Sequence, residues 1–258
     1  MKYTCYVKED QLSQQYYQAI TQFLNASGWQ QDDNNPQLVI TIGGDGTVLT
    51  AIHKYINGLN GIAFVGVHTG SLGFFNDYKI EEVKTFIQDL LTKQPQYESR
   101  RLLQAVIDRD ENNPIYALNE IRIENNIKTQ VIQVNIDNQV LEVLRGTGIC
   151  ISTQAGSTGF NRSVNGAVID DRLEVLQVSE IAAIHNSRYH SLGSPLVLSK
   201  DRKITIVGQN FNFSVLCYDH LYTQLKCKKQ VECRLSDKVV YFARFKPNNY
   251  IERIRTLF

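Results

Sequence analysis

Roughly the first 95 residues of the chain alternate between apolar runs and stretches with helical spacing. The runs Leu38–Ile42 and Ile62–His68 are almost continuously apolar, which is typical of strands buried on both faces of a parallel sheet. Between them, Val48, Ala51 and Ile52 recur at the spacing of one helix face. This alternation predicts an α/β domain in which helices cover a parallel sheet.

A short strand and two more amphipathic helices complete this alternating region. The strand is predicted at Lys2–Lys8, and Gly28 suits the end of the helix that follows it. The apolar residues of that helix recur at helical spacing, at Leu12, Tyr16, Ile20 and Phe23. The second helix has a stripe made of Ile80, Val83, Phe86, Ile87, Leu90 and Leu91. Each stripe would give its helix one face to pack on the sheet.

The pattern changes after Thr92–Gln96, where strand-like segments with period-two alternation predominate. Ile136–Val143 has the composition of an antiparallel hairpin, and a helix is predicted around Ser157–Asn165. A last helix is predicted at Asn249–Phe258. We therefore predict an α/β N-terminal domain over residues 1–98, a mostly-β C-terminal domain over residues 99–241, and a tail over residues 242–258 that returns to the first domain.

Bulk properties exclude several classes of function. The 258-residue chain has a formal net charge of +1, so nothing favours a nucleic acid partner. No apolar run approaches a membrane span and the start lacks an apolar signal region, so no membrane association is expected. The five cysteines are odd in number and dispersed, and the histidines lack metal-ligand spacing. We therefore expect a cytoplasmic protein with reduced thiols and no metal site built from protein ligands.

One loop carries most of the chemical information. The run Leu38–Ile42 leads directly into Gly43, Gly44, Asp45, Gly46 and Thr47, and the helical pattern then starts. Such a turn offers backbone N–H groups to a phosphate, and Thr47 could cap the helix. Asp45 needs a further reason, because a carboxylate beside anionic oxygens is repelled unless it holds a cation or accepts a proton. The alternative is structural: Asp45 is an N-cap and the glycines only make a turn.

The Gly-Gly-Asp-Gly-Thr loop resembles the signature of NAD kinases, and it also occurs in diacylglycerol and sphingosine kinases. Five later stretches are similar to NAD kinase segments in the expected order: Ala63–Phe75, Leu118–Ile123, Arg145–Ile169, Glu180–Leu198 and Tyr218–Tyr222. This resemblance covers nearly the whole chain. It implies the NAD-kinase-like two-domain fold, and ATP-dependent phosphorylation of the adenosine-ribose 2′-hydroxyl of NAD to give NADP.

The resemblance also implies roles for individual residues. Asp45 would be the general base, and Asn119 with Glu120 would hold the adenine and ribose of NAD. The phosphate end would be lined by Gly43, Gly44, Gly46 and Thr47. Further substrate contacts would fall on Arg145, Thr147, Thr158, Gly159, Phe160, Asn161, Arg162, Ser163, Ala182 and His220. For each of these the alternative is structural, such as core packing for Phe160 or a solvated charge for Arg145.

ATP would bring a divalent cation, most simply Mg²⁺, which commonly uses substrate phosphates and water as ligands. The family resemblance also implies a homodimer or homotetramer. Five positions depart from the family pattern. Thr147 stands where many relatives have Asp, Gly159 and Phe160 replace Ala and Tyr, Ser71 replaces a His or Asn, and Ala155 replaces a hydroxyl or proline-rich neighbourhood. We expect an active enzyme whose affinity for its substrate is altered by these departures.

Two other functions stay open at this point. One is a lipid or other small-molecule kinase that shares the glycine loop, although no amphipathic membrane anchor is recognisable in the sequence. The other is an NAD-binding sensor that has lost its activity, which Thr147 and Phe160 suggest. The intact glycine loop with Asp45 argues against the sensor.

Overall fold

The computed structural model describes residues 1–70, 73–184, 189, 191–247 and 250–257. The chain divides into two compact units, one formed by Met1–Arg100 with Val239–Phe258 and the other by Arg101–Lys238. Ser71, a predicted departure from the family pattern, lies outside the described residues.

The first unit has the alternating strands and helices of an α/β structure. Its strands are β1 (Lys2–Val7), β2 (Gln30–Gln31), β3 (Leu38–Ile42), β4 (Ala63–His68) and β5 (Tyr78–Lys79). Its helices are α1 (Gln11–Ala26), α2 (Asp45–Lys54), α3 (Val83–Thr92), which follows a 3-10 turn at Ile80–Glu82, and α5 (Tyr250–Leu257). The chain passes between the units within β6 (Gln96–Ile107) and β17 (Gln230–Arg244).

The strands of the first unit are parallel, as predicted. They follow the order β2, β1, β3 and β4, while β5 and the end of β17 also pair parallel with β4. Every residue of β3 and of β4 is buried, which explains why both strands read as continuous apolar runs. The carboxyl end of β3 leads into α2, and this connection is the glycine loop.

Helix α1 forms where predicted, but its buried face is not the predicted stripe. Ser13, Ile20 and Leu24 are buried, whereas Leu12 is 43% exposed and Phe23 is 57% exposed. The inward face is centred on residues spaced by four and seven, and Leu12 and Phe23 both lie on the same side of it, outside the buried stripe. In α2, by contrast, the predicted Val48, Ala51 and Ile52 are all buried.

The second unit is built almost entirely from antiparallel strands. They are β7 (Ile115–Ala117), β8 (Glu120–Glu124), β9 (Gln130–Ile136), β10 (Gln139–Gly146), β11 (Gly148–Thr153), β12 (Val175–Ile181), β13 (Leu196–Ser199), β14 (Ile204–Gly208), β15 (Val215–Tyr218) and β16 (Leu221–Gln224), with the first part of β17. The predicted hairpin is β9–β10, whose turn residues Asp137 and Asn138 have φ values of 49° and 67°. The predicted helix near 157–165 is a 3-10 turn, Ala155–Thr158, followed by the short α4 (Phe160–Ser163).

Two sheets of this unit share one apolar core. One sheet has the order β13, β12, β11, β8, β15 and β16, and strands β10, β9, β14 and β17 are neighbours in the other. Buried side chains from both sheets, such as Ile121 and Ile132, belong to the same cluster. No helix in the described part of the chain is both long enough and apolar enough to cross a membrane. All five cysteines have free thiols.

Candidate active site

The glycine loop turns sharply between β3 and α2. Gly43 has a φ of 155°, and a Cβ on it would overlap the Thr47 side chain and approach Lys8 Cβ to 3.0 Å. Glycine is therefore required at this position by the chain's own packing. At Gly44 and Gly46 an added Cβ would meet no protein atom within 4 Å, so both positions leave open space beside the start of α2.

Asp45 is the first residue of α2, and its carboxylate is held by a distant segment. The helix N-cap is Gly44, which has no side chain that could make a capping hydrogen bond. The alternative that Asp45 is an N-cap is therefore wrong, and so is the prediction that Thr47 caps the helix. Asp45 Oδ2 instead accepts a hydrogen bond from the Phe74 N–H at 2.8 Å, and Oδ1 accepts one from the Phe75 N–H at 3.2 Å.

Gly73 makes this approach possible. A Cβ on Gly73 would overlap the Asp45 carboxylate, so only glycine lets residues 73–75 come so close. Gly73 belongs to the stretch Ala63–Phe75 that carried the family resemblance, but that resemblance gave it no role. The signal could have been the glycine itself, because a glycine beside a catalytic loop often marks a close approach of the backbone.

The surroundings of Asp45 have opposing effects on the pKa of its carboxylate. Burial raises the pKa of Asp45, while the two N–H groups, Arg253 and His68 act to lower this pKa. His68, at the end of β4, is only 2% exposed. Its Nδ1 accepts a hydrogen bond from the Gly70 N–H at 3.2 Å, and burial lowers the pKa of His68. The Nε2 of His68 is buried and has no hydrogen-bond partner among the described residues.

In the second unit, the structure fixes the backbone of Asn119 firmly. Asp219, in the turn between β15 and β16, accepts hydrogen bonds from the Leu118 N–H at 2.8 Å and the Asn119 N–H at 2.7 Å. The Thr153 hydroxyl donates to the Leu118 carbonyl at 2.6 Å. Asp219 and His220 lie in the stretch Tyr218–Tyr222, which is similar to a family segment. The structure makes Asp219 the anchor of the predicted substrate pair, whereas His220 is an exposed residue.

Two stretches that were predicted separately meet at Asn119 and Glu120. A Cβ on Gly156 would overlap the Asn119 backbone, so the 3-10 turn packs directly on that residue. A Cβ on Gly159 would lie 3.5 Å from Glu120 Oε2 and 3.8 Å from Asn119 Nδ2. The Gly159–Phe160 segment therefore lies beside the Asn119–Glu120 pair. We call this cluster, with Arg122 and Asp219, the Asn119 site, and Asp45 with His68 and residues 73–75 the Asp45 site.

Polar atoms of the Asn119 site are buried without hydrogen-bond partners. Asn119 Oδ1 and Glu120 Oε2 have none among the described residues. Burial, aided by the charge of Asp219, raises the pKa of Glu120 to about 7, although Arg122 acts against this rise. Arg122 Nε lies 3.7 Å from Glu120 Oε1, and its guanidinium lies 3.8 Å from the centre of the Phe160 ring. Sequence reasoning missed Arg122, which is two residues from Glu120 and so on the same face of β8.

The structure contradicts the prediction that the Asn161 side chain contacts the substrate. Its side chain is fully buried, and its amide bonds Ser157, Ala167 and Ser179 at 3.5, 3.4 and 2.9 Å. A Cβ on Gly166 would overlap this amide. Asn161 therefore holds the loop around α4 together and offers no free face to a ligand.

The remaining predicted contacts are spread over the second unit. Arg162, Ser163 and Ala182 are exposed, and Ala182 has a φ of 46°. Arg145 is also exposed, and its Nε donates to the Thr129 hydroxyl at 3.2 Å.

Thr147 follows β10, and its backbone bonds Ile181, Asn125 and Gln130. Thr158, in the 3-10 turn, is partly buried. Among the described residues no group of three or more His, Cys, Asp or Glu could hold a metal ion.

Solved structures define the class of protein to which this fold belongs. An NAD kinase from Archaeoglobus fulgidus, solved in complex with ATP, is similar with a TM-score of 0.81 at 20% identity, over 99% of both chains. A yeast NADH kinase, solved with NADH, is similar with a TM-score of 0.84 at 18% identity, over 99% of this chain and 86% of that one. The fold is therefore that of the two-domain NAD and NADH kinases.

Family models and curated relatives identify the family itself. The ATP-NAD kinase N-terminal domain matches residues 3–95, and the ATP-NAD kinase C-terminal domain matches residues 118–245. NAD kinase 1 of Halalkalibacterium halodurans is 36% identical over 100% of this chain and 98% of its own length. The NAD kinase of Lactobacillus gasseri is 38% identical over 93% of this chain and 91% of its own.

The chain belongs to the ATP-NAD kinase family, and the resemblance found in its sequence is confirmed. It is an ATP-dependent NAD kinase, and neither the lipid kinase nor the inactive sensor is favoured.

Proposed function

We propose that Asp45 is the general base for phosphorylation of the adenosine-ribose 2′-hydroxyl of NAD. The 2′-oxygen forms a bond to the γ-phosphorus of ATP, the bond from that phosphorus to the β,γ-bridging oxygen breaks, and ADP leaves. The hydroxyl proton passes to the Asp45 carboxylate. The observation that carries this role is the carboxylate itself, buried at the start of α2 and oriented by the Phe74 and Phe75 N–H groups.

The environment of Asp45 suits proton transfer. An unperturbed aspartate titrates near pH 3.9, which makes it a weak base at neutral pH. Burial raises the pKa of Asp45 and so moves it toward the working pH, where a general base is most efficient. Two N–H donors occupy only part of the acceptor capacity of a carboxylate, so each oxygen keeps a lone pair for the substrate hydroxyl.

The start of α2 supports a role in binding the phosphates of ATP. The α2 helix has ten residues, so its N-terminal N–H groups and dipole favour anionic oxygens. Gly44 and Gly46 leave space there for a phosphate to approach the backbone. We assign the divalent cation, most simply Mg²⁺, to the ATP substrate, since this ion commonly uses phosphate oxygens and water. No step of the reaction is assigned to a protein-bound metal.

The Asn119 site supports recognition of the nucleoside part of NAD. Asn119 Oδ1 can accept a hydrogen bond from the adenine amino group, and Glu120 Oε2 can accept one from a ribose hydroxyl. Both oxygens are buried without a partner among the described residues. Leaving such an atom unpaired costs about 1–3 kcal/mol, so a ligand that supplies the donors recovers this free energy on binding.

We further propose that the protein is cytoplasmic and forms a homodimer or homotetramer. Its five free thiols suit a reducing compartment. Strand β10 carries exposed apolar side chains, with Val140 at 61%, Leu141 at 38% and Val143 at 37%, which suit a contact between copies. Light scattering of the purified protein measures this assembly directly, and a monomer would contradict the proposal.

Asp45→Asn tests the proposed base, because the amide keeps the shape of the side chain but cannot accept the proton. We expect the kcat for NADP formation from NAD and ATP to fall by about 10²–10⁴-fold, with KM for NAD close to that of the unmodified enzyme. Glu9→Gln is the matched control, since it removes an exposed carboxylate from the same unit. Undiminished turnover of the Asp45→Asn enzyme would refute the assigned role.

A further inference from the structure

Two arginines near the end of the chain bind the segment that holds Asp45. Arg253, on α5, donates from Nη1 to the Phe74 carbonyl. Arg244, at the end of β17, donates from Nη1 to the Phe75 carbonyl at 2.9 Å. The N–H groups of the same two phenylalanines bind the Asp45 carboxylate. Residues more than 160 positions apart in sequence thus meet on one short piece of backbone.

One peptide group connects Arg253 to Asp45. The Phe74 carbonyl and the Phe75 N–H belong to the same peptide unit, and the described chain contains no cis peptide bonds. In a trans peptide the oxygen and the hydrogen point in opposite directions. The Arg253 guanidinium therefore binds one edge of this unit, and Asp45 Oδ1 accepts from the other edge at 3.2 Å.

We propose that Arg253 is a positioning residue for phosphoryl transfer, which fixes and polarises the Phe74–Phe75 peptide group that orients the Asp45 carboxylate. A cation on the carbonyl oxygen strengthens the N–H at the opposite edge as a donor, because hydrogen bonds in a chain polarise one another. It also limits rotation of the peptide plane, on which the direction of the N–H depends. The inference rests on the proposed role of Asp45.

Arg253 is itself held in place. Its side chain is only 11% exposed, and its Nη2 pairs with Asp77 Oδ1. Arg244, which is 6% exposed, pairs with the same oxygen at 2.8 Å and with Glu98 at 2.8 Å. The carboxylate of Asp77, which is 3% exposed, therefore connects the two guanidiniums. Such a buried network keeps Arg253 against the Phe74 carbonyl even though α5 is a short terminal helix.

Arg253 also acts on Asp45 through its charge. The charged or titratable groups that influence Asp45 are Arg253, from α5, and His68, from the end of β4. Arg253 lowers the pKa of Asp45 and so opposes the effect of burial. Loss of this positive charge would therefore raise the pKa of Asp45 and move the acidic limb of the pH–rate profile to higher pH.

Three variants of α5 test this inference in the full-length enzyme. Arg253→Met removes both the charge and the hydrogen bonds. Arg253→Lys keeps the charge, but one ammonium cannot reproduce the planar fork that reaches the Phe74 carbonyl and Asp77 together. Arg255→Met is the matched control, since Arg255 is an exposed arginine on the same helix. For each variant, kcat and KM for NAD are measured from pH 5 to pH 9, with thermal unfolding recorded alongside.

For Arg253→Met we expect kcat to fall about 10- to 100-fold, because small misplacements of a reacting group have effects of this size. KM for NAD should stay within about twofold, and the acidic limb should move to higher pH. Arg253→Lys should lower kcat without moving the limb, and Arg255→Met should match the unmodified enzyme. A purely structural role would lower thermal stability without shifting the limb.

The inference is overturned if folded Arg253→Met retains the kcat and the acidic limb of the unmodified enzyme. If the methionine variant does not fold, the lysine variant decides: a lowered kcat at the thermal stability of the unmodified enzyme supports the inference, and an unchanged kcat, or a fall in kcat accompanied by a fall in thermal stability, overturns it. Failure of the proposed function is distinguishable from these results. In that case Asp45→Asn itself keeps its turnover, whereas failure of this inference alone leaves Asp45→Asn inactive and Arg253→Met fully active.

Discussion

Both oxygens of the Asp45 carboxylate accept hydrogen bonds from the chain itself, whereas Asn119 Oδ1 and Glu120 Oε2 are buried with no partner among the described residues. The Asp45 site takes its donors from backbone N–H groups, which cannot rotate away as side chains can. In the Asn119 site the backbone is equally well fixed, by Asp219 and Thr153, but the side-chain acceptors are left unpaired.

The functions proposed for the two sites account for this difference. A group that takes part in the reaction gains from a fixed orientation before the substrate arrives, since no reorganisation is then needed during the reaction. A group that recognises a ligand gains from polar atoms that are unpaired until the ligand binds, because analogues that lack the donors are then rejected. Variants of the Asp45 site should therefore act mainly on kcat, and variants of the Asn119 site mainly on KM for NAD.

Among the variants that test this division between kcat and KM, Gly73→Ala should have the largest effect. A Cβ at this position overlaps the Asp45 carboxylate, so the side chain must leave the Phe74 and Phe75 N–H groups. We expect kcat to fall by roughly 100-fold, with KM for NAD changed by no more than about threefold. Steady-state kinetics of NADP formation measures both quantities. Gly58→Ala is the control, because a Cβ there meets nothing within 4 Å. A variant with raised KM and normal kcat would contradict the division of roles.

The second largest effect, a change of about tenfold in KM for NAD, is expected from the ionisation of Glu120. Burial raises the pKa of Glu120 to about 7, and only the carboxylate can accept from a ribose hydroxyl with both oxygens. KM for NAD should therefore rise roughly tenfold between pH 8 and pH 6, as the group becomes protonated. Glu120→Gln should abolish this pH dependence. The same pH dependence in the Glu120→Gln enzyme would assign it to another group.

The raised pKa of Glu120 also predicts a cost in stability. The folded protein binds this proton more tightly than the unfolded chain, so stability falls as pH rises from about 4.5 to about 7. Glu120→Gln should therefore be more stable than the unmodified protein at pH 8, by on the order of 3 kcal/mol, and the difference should vanish below about pH 4. Urea unfolding at both pH values measures this. Equal stability of the two proteins at pH 8 would mean that burial of the ionised Glu120 side chain does not destabilise the folded protein.

The smallest expected effect comes from Phe160→Leu. The substitution removes the ring that lies under the Arg122 guanidinium, an interaction of about 0.5–1 kcal/mol at a partly exposed site. KM for NAD should rise by only about two- to fivefold, with kcat unchanged. The separate variant Phe160→Tyr keeps the aromatic face, so its KM for NAD should equal that of the unmodified enzyme. A change of kcat in either variant would break the separation between the two sites.

The parts of the site that the sequence predicted are those whose signal is local. Asp45 lies within a five-residue motif between a buried strand and a helix, and Asn119 and Glu120 are adjacent in one short stretch. Arg253, Gly73 and Asp219 could not be assigned in this way. Each acts through a backbone contact with a residue at least 28 positions away, and no pattern in their own neighbourhoods identifies that distant residue.

Asn161 shows the opposite limit of sequence reasoning. It lies in a stretch that resembles the substrate loop of the family, yet its amide is used entirely by neighbouring groups in the second unit. A motif places a residue in a segment, but it does not determine which side of the segment faces the ligand. In the same way, helical spacing placed Leu12 and Phe23 on one side of α1 but did not determine that a different side is buried.

By itself, the sequence determined the α/β and β-rich parts, the strand–loop–helix that carries Asp45, and membership of the NAD kinase family. The first two depend on periodicity or on residues adjacent in the chain, which local physical chemistry dictates, whereas the family membership depends on the resemblance of several motifs in their order. Only the tertiary structure decided what surrounds the functional groups. The burial that raises the pKa of Asp45, the N–H groups that orient it and the unpaired oxygens of Asn119 and Glu120 arise when distant segments pack together. Hydrogen bonding and desolvation depend on distance in space, which separation along the sequence does not specify.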